Sequence, residues 1–181
     1  RPRLPIKSCR SIPPPLGVGS GVGASHFCVA ASFSHSSCSL AAKDSYKAAK
    51  MVMLSPGSTN VTVTQNSDYA YRNIFTDDFQ GQCLATYASK ILGVKRVAIL
   101  FDNDDYGTGL KDSFKKTALE LGMAVEGETA YNKDTNDFRS QLTTINDRNP
   151  ELILIAGLYK QAAVIADQAR RLGINTPFIG G

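Results

Sequence analysis

Along most of this chain, short unbroken apolar runs alternate with longer stretches in which apolar residues recur three and four positions apart. The runs Met51–Leu54, Val97–Phe101 and Leu152–Ala156 read as strands covered on both faces, because a strand with one wet face alternates instead. Met123 to Ala130 is a weaker strand, and Tyr69 to Arg72 and Pro177 to Ile179 are short ones. Between them lie helical periods. Ser39 is expected to cap a helix bearing Ala41, Ala42, Tyr46 and Ala49. Asp77 and Asp78 open a second helix with Leu84, Ala88 and Ile91 inward, ending at Gly93. A third, from about Gly107, places Leu110, Phe114, Ala118 and Leu121 on one face and stops at Gly122. Asp134, Thr135 and Asn136 offer caps for a fourth with Phe138, Leu142 and Ile145 inward, stopped at Pro150. A fifth, from Lys160 to Leu172, carries Ala162, Ile165, Ala166 and Ala169.

Strand–helix alternation at this pitch predicts an α/β fold: a doubly wound parallel sheet with flanking helices, joined by right-handed crossovers. Residues 83–181 suffice for nearly a whole unit of this kind, residues 39–76 for only part of another. Residues 1 to about 34 have a different texture. They are rich in Pro, Gly and Ser, contain no acidic residue, and hold no sustained period. The run from Gly17 to Gly23 misses the dinucleotide-binding spacing, since the third glycine would fall on Val22 or Ala24. This segment reads as a linker, or as a stretch foreign to the domain that follows.

Composition narrows the classes. A chain of 181 residues, 43% hydrophobic and 20% charged, is that of a globular protein with a real core. Of the 20 basic residues, Arg1, Arg3, Lys7 and Arg10 lie in this opening segment; the other 16 match the 16 acidic residues. The body of the chain is therefore neutral and offers no footprint for nucleic acid or an anionic membrane. No apolar run approaches the ~20 residues that span a bilayer. Cys9, Cys28, Cys38 and Cys83 form no C-x-x-C knuckle for zinc; the plain expectation is four unpaired thiols, with a disulfide of unreadable connectivity as the alternative.

In a parallel sheet, ligands gather beyond the carboxyl ends of strands, so the loops there are the candidates. They are Gly57-Ser58-Thr59, Asp102 to Gly107, Gly157-Leu158-Tyr159 and Gly180-Gly181, each with glycine, hydroxyl or aromatic residues. Sharper chemistry fails. Asp102, Asp104 and Asp105 suggest a calcium loop, but Tyr106 and Ser113 stand where further acids are needed, so an acidic helix cap accounts for them better. The histidines, His26 and His35, lie in or beside the irregular segment. No zinc-protease, P-loop or nucleophile-elbow motif occurs, and the chain is not expected to be an enzyme or to need a cofactor.

The blocks KMVMLSPGSTN, RNIFTDDFQGQ, VAILFDNDDYGTGL, NPELILIAGLYKQAAVIADQARRLG and TPFIGG, in this order, resemble the periplasmic leucine/isoleucine/valine-binding proteins. The resemblance runs from about Ser34 to Gly181. It implies the type I periplasmic binding fold, with two Rossmann-like lobes, of which this chain would hold part of the first (residues 35–76) and most of the second (77–181). It also implies a solute-binding component of an ABC transporter. Such a component would capture leucine, isoleucine, valine or a related amino acid, partner the permease subunits, and act as a monomer in the periplasm, with a lipoprotein anchor as a variant. A receptor or amide-sensing domain of the same fold is the alternative.

Matched residue by residue, Ser36 or Ser37 resembles the serine that grips the ligand carboxylate, with Thr59 and neighbouring backbone N–H groups of the Ser58 turn. Gly57 matches the backbone carbonyl offered to the ammonium. Asp77 matches an acid near the interlobe crossover, with solvated helix capping as its other reading. Tyr106 and Tyr159 match aromatic residues that close on the ligand. The family's further acid after the glycines matching Gly180-Gly181 falls beyond this sequence.

Overall fold

A computed structural model describes residues 34–181 of the chain. Cys9, Cys28, His26, the glycine run and the linker reading of residues 1–33 lie outside the described residues. The described residues divide into two compact units, 34–58 with 62–74, and 59–61 with 75–181.

The first unit is small. Helix α1 (Ser36–Ala48) precedes strand β1 (Met53–Ser55), which pairs in parallel with β2 (Ala70–Arg72); a 3-10 turn at Val61–Val63 lies between them in sequence. Its described core is Ala42, Met53, Val63 and Ala70. Two expectations shift here. The helix begins three residues ahead of Ser39, with His35 at its N-cap, and Ser39 is fully buried inside it. Strand β1 starts at Met53 rather than Met51, and Leu54 turns outward.

The second unit is the doubly wound part. Its elements are α2 (Asp77–Lys90), β3 (Arg96–Asp102), α3 (Asp105–Glu120), β4 (Ala124–Tyr131), α4 (Arg139–Asn146), β5 (Leu152–Ala156), α5 (Tyr159–Arg171) and β6 (Phe178–Gly180). The four strands are all parallel, in the order β4-β3-β5-β6. Every residue of β5 is buried, and so are Val97 to Leu100 of β3, which is why both segments are continuous apolar runs. Successive residues serve opposite faces. Val97, Ile99, Leu152 and Leu154 pack with Ala85, Ala88, Leu110, Phe114 and Ala118 of α2 and α3. Ala98, Leu100, Ile153 and Ile155 pack with Leu142, Ile145, Ile165 and Ala169 of α4 and α5. Strand β4 has a single neighbour and carries Glu126, Glu128 and Thr129, with only Tyr131 buried, as suits an edge.

Helix α2 keeps Ala88 inward as expected, with Leu84 packed at the core's edge, but not Ile91. Its buried residues are Asp77, Gly81, Ala85 and Ala88, whereas Leu84 is half-buried and Ile91 is 69% exposed. Small residues point inward because α2 lies hard against α3. A Cβ on Gly81 would stand 2.6 Å from the Phe114 backbone nitrogen and from Ser113 Oγ, and Ser113 Oγ donates to the Asp78 carbonyl at 2.9 Å. Helix α4 likewise starts later than the expected caps. Phe138 holds its N-cap position, fully buried, and its N–H donates to Gln168 Oε1 at 2.7 Å instead of being capped locally. Of the cysteines that can be described, Cys83 is a free, exposed thiol and Cys38 is disulfide-bonded, which corrects the expectation of four unpaired thiols.

Gly81→Ala should push α2 off α3. The expected loss is about 1–3 kcal/mol in urea unfolding, seen as a lower midpoint at unchanged slope.

Candidate functional site

The chain leaves β3 through α3 on one face of the sheet and leaves β5 through α5 on the other. β3 and β5 are neighbours, so the winding reverses between them and opens a crevice beyond their carboxyl ends. Two of the predicted loops meet there. Asp104 caps α3 by accepting from the Gly107 N–H at 2.8 Å, which bears out the capping reading of this acidic loop, and its other oxygen pairs with Lys133 Nζ at 2.9 Å. The first turn of α3 sits directly over both strand ends. A Cβ on Gly107 would meet the Asp102 carbonyl and stand 2.9 Å from that of Ala156.

Tyr106, on that first turn, is half-buried. Burial holds its hydroxyl above the usual phenol range, the Gln80 side chain pulls the other way, and the charges of Asp77 and Asp104 add to the rise. Tyr159, the first residue of α5, is 87% exposed. It lines a cavity of about 270 Å³ whose wall includes Ile155, Gly157, Phe178 and Gly181, at the carboxyl ends of β5 and β6. Asp77 is 1% exposed, which rules out its reading as a solvated cap; Thr76 is the N-cap of α2 and accepts from the Phe79 N–H. The Asp77 N–H donates to the Thr59 carbonyl at 2.9 Å, and Asn60 Nδ2 donates to the Asp105 carbonyl at 2.8 Å. Thr59 therefore joins Asp77, Tyr106 and Tyr159 in the second unit.

Ser36, Ser37, Gly57 and Ser58 belong to the first unit. Ser36 and Ser37 open α1, the former buried and the latter half-buried. Ser58 is fully buried and fixed from three sides. Its Oγ shares a 2.6 Å hydrogen bond with Ser39 Oγ, its N–H donates to Ser55 Oγ at 3.0 Å, and its carbonyl accepts from Arg72 Nη1 at 3.1 Å. Ser39 and Arg72 are thus supports that a reading of loops alone passes over. The signal for Ser39 was present, since it stands three positions before the inward Ala42, on the same helix face.

A buried polar pair, missed from sequence, underlies the crevice. Asp102 and Tyr131 end their strands in direct register, and are 1% and 3% exposed. Asp102 Oδ2 and the Tyr131 hydroxyl find no hydrogen-bond partner among the described residues. The phenol tip rests on Gly157, where any Cβ would overlap it. Burial raises the Asp102 pKa, the Asp104 charge raises it further, and Lys133 and the Asn103 N–H oppose them. Tyr131 is raised by burial and then by the charges of Asp102 and Asp104. An aspartate straight after a fully apolar strand was the available signal.

A parallel, doubly wound sheet with glycine, hydroxyl and aromatic residues beyond its strand ends defines a class of α/β proteins that hold small ligands. Comparison with known sequences narrows the class. Residues 27–181 match the profile of the periplasmic binding protein family, a span that opens seven residues ahead of Ser34. The chain belongs to this family, whose members are binding proteins rather than enzymes. It is 30% identical over 155 residues to an amino acid binding protein of Pseudomonas aeruginosa, covering 85% of this chain and 40% of that protein. It is 32% identical over 150 residues to the leucine-specific-binding protein of Salmonella typhimurium, covering 80% and 40%. Among solved structures, a leucine binding protein from Thermotoga maritima superposes with a TM-score of 0.78 at 37% identity, covering 81% of this chain and 42% of that one. A branched-chain amino acid transporter substrate binding protein from Streptococcus pneumoniae, solved with isoleucine, gives 0.75 at 30%, covering 82% and 42%. The chain thus spans about two-fifths of the length of these relatives.

Two outcomes test the buried pair. Gly157→Ala should cost about 1–3 kcal/mol, and adding Tyr131→Phe should recover most of it, as a urea double-mutant cycle would show. Asp102 is raised in the fold, so the native state holds a proton that the unfolded chain releases. Its contribution is complete below the unfolded value of 3.8 and is lost as pH rises through the window above it. Wild type should therefore lose stability relative to Asp102→Asn as pH climbs from 3.5, and parallel curves would contradict this.

Proposed function

We propose that this chain is the solute-binding part of an ABC transport system, capturing leucine, isoleucine, valine or a related amino acid between two lobes for delivery to a membrane permease. The observation that carries the reading is the crevice at the ends of β3 and β5. Tyr106 opens α3 beyond β3 and Tyr159 opens α5 beside the cavity at the ends of β5 and β6, in a fold shared with proteins named for leucine and isoleucine binding. Residues 35–76 form part of lobe one and residues 77–181 most of lobe two.

An amino-acid zwitterion needs polar partners for two opposite charges and an apolar wall for its side chain. Ser36 or Ser37 and Thr59, with the N–H groups of the Ser58 turn, hold the carboxylate. Hydroxyl and amide donors do this without burying a second full charge. The Gly57 carbonyl accepts from the ammonium, and the buried Asp77 supplies negative potential nearby. Tyr106 and Tyr159 close over the ligand as the lobes approach. The setting is extracytoplasmic, in the periplasm.

L-leucine, L-isoleucine or L-valine should bind in isothermal titration calorimetry while D-leucine does not. At a hundred times its dissociation constant, the bound amino acid should add about 2.7 kcal/mol of stability. Thr59→Ala and Tyr159→Ala should each weaken binding about tenfold or more. No heat and no thermal shift with any of the three would overturn the reading.

A further inference from the structure

Helices α2 and α3 meet along residues that follow the helical repeat: Asp77, Gln80, Gly81 and Leu84 on one, Tyr106, Gly109, Leu110 and Ser113 on the other. Close approaches fix the register. Gly81 lies against Ser113, and a Cβ on Gly109 would stand 2.5 Å from Asp77 Oδ2. Gln80 therefore falls between Tyr106 and Leu110 on one side and the end of β6 on the other. A Cβ on Gly181 would overlap Gln80 Nε2 and stand 2.8 Å from Leu110 Cδ2. The Gln80 side chain also hydrogen-bonds to the Tyr106 hydroxyl, in the sense that favours the ionised phenol. A bond with that effect is one in which the amide N–H donates and the phenol oxygen accepts.

The other end of the amide is idle. Gln80 Oε1 is buried and finds no hydrogen-bond partner among the described residues. An unpaired buried carbonyl costs stability, and a leucine would fill the same half-buried place without that loss. Packing alone does not account for a glutamine here; what the amide adds is a donor aimed at one phenol. A phenol oxygen carries one proton and accepts on its other side. With Nε2 on the accepting side, the O–H is turned away from α2 and left to donate. Burial and the charges of Asp77 and Asp104 oppose ionisation, so the donor keeps its proton.

We propose that Gln80 is a positioning residue, which holds the Tyr106 hydroxyl oxygen so that its O–H faces the crevice as a hydrogen-bond donor. A phenol set this way selects an acceptor. In the amino-acid site proposed above, on which this step rests, it serves the ligand carboxylate and not the ammonium. The orientation of the hydroxyl does not depend on that reading.

The orientation is tested without ligand. With tyrosine isotopically labelled at Cζ, the Tyr106 signal, assigned by its loss in Tyr106→Phe, should titrate at higher pH in Gln80→Leu than in wild type, while the other tyrosines keep their midpoints. Tyr106→Phe keeps the ring and removes only the hydroxyl, so the Gln80 side-chain amide protons should move upfield in it. In calorimetric titration with L-isoleucine, Gln80→Leu and Tyr106→Phe should each weaken binding about threefold to tenfold, and the double variant should bind no more weakly than Tyr106→Phe alone. Gln80→Glu, close to glutamine in shape, should keep the circular dichroism spectrum and bind at least as weakly as Gln80→Leu, because its carboxylate takes the phenol proton. A Tyr106 midpoint that stays or falls in Gln80→Leu would overturn the proposal. So would Gln80 amide signals indifferent to Tyr106→Phe, or losses of affinity that simply add. A wild-type protein that binds no amino acid would overturn the function proposed above instead, and the two ligand-free measurements would still decide the orientation of the hydroxyl.

Discussion

Burial of two adjacent strands from both sides is the constraint from which the second unit follows. β3 and β5 can place no polar side chain in their middle, so each consists of alternating apolar residues of which odd and even members feed different cores. Both cores need helices, and right-handed crossovers supply helices to opposite faces only if the chain reverses its winding between the two strands. That reversal sends α3 and α5 from neighbouring strands to opposite faces, so their first turns and the loops before them gather at the carboxyl ends of β3 and β5. The crevice is a geometric result of covering the sheet twice, and the loops around it are where polar residues can return.

The return begins abruptly. Asp102 follows Phe101 and is still buried; beside it Tyr131 brings a hydroxyl to the same depth. Gly157 has no side chain, so the phenol can occupy its space, and the β5–α5 connection that ends in Tyr159 runs over the ring. Asp104 and Lys133 neutralise each other just outside. The floor of the crevice therefore combines a buried carboxyl of raised pKa with a phenol held well above its normal range, under a rim of glycine and tyrosine.

The architecture of the second unit was legible from period and punctuation. VAILF and LILIA could only be strands buried twice over, and Gly93 and Gly122, both at positive φ, mark the ends of helical segments as expected, as Gly173 does after α5. What escaped was set by neighbours far away in sequence. Leu84 and Ile91 looked inward because they are large, yet the closeness of α3 admits only Gly81, Ala85 and Ala88. Ser39 looked like a cap because hydroxyls favour caps, but its partner is Ser58 in a loop 19 residues on. The strand-end loops, including Gly57-Ser58-Thr59, were readable as a group. The supports beneath them, Arg72, Tyr131 and Asp102, were not, because nothing local marks a polar side chain that will be buried.

Membership of the periplasmic binding protein family and two tyrosines at strand-end helix starts are the grounds for the proposed capture of a small amino acid. The most direct measurement is a map of backbone amide NMR shifts on adding L-isoleucine to the isotopically labelled chain. The account predicts that the shifts concentrate at Gly57 to Asn60, at Asp104 to Gly107 and at Gly157 to Tyr159, leaving α4 and the amino ends of β3 and β5 unmoved. Shifts confined to those amino ends, or none at saturating isoleucine, leucine and valine, would contradict it.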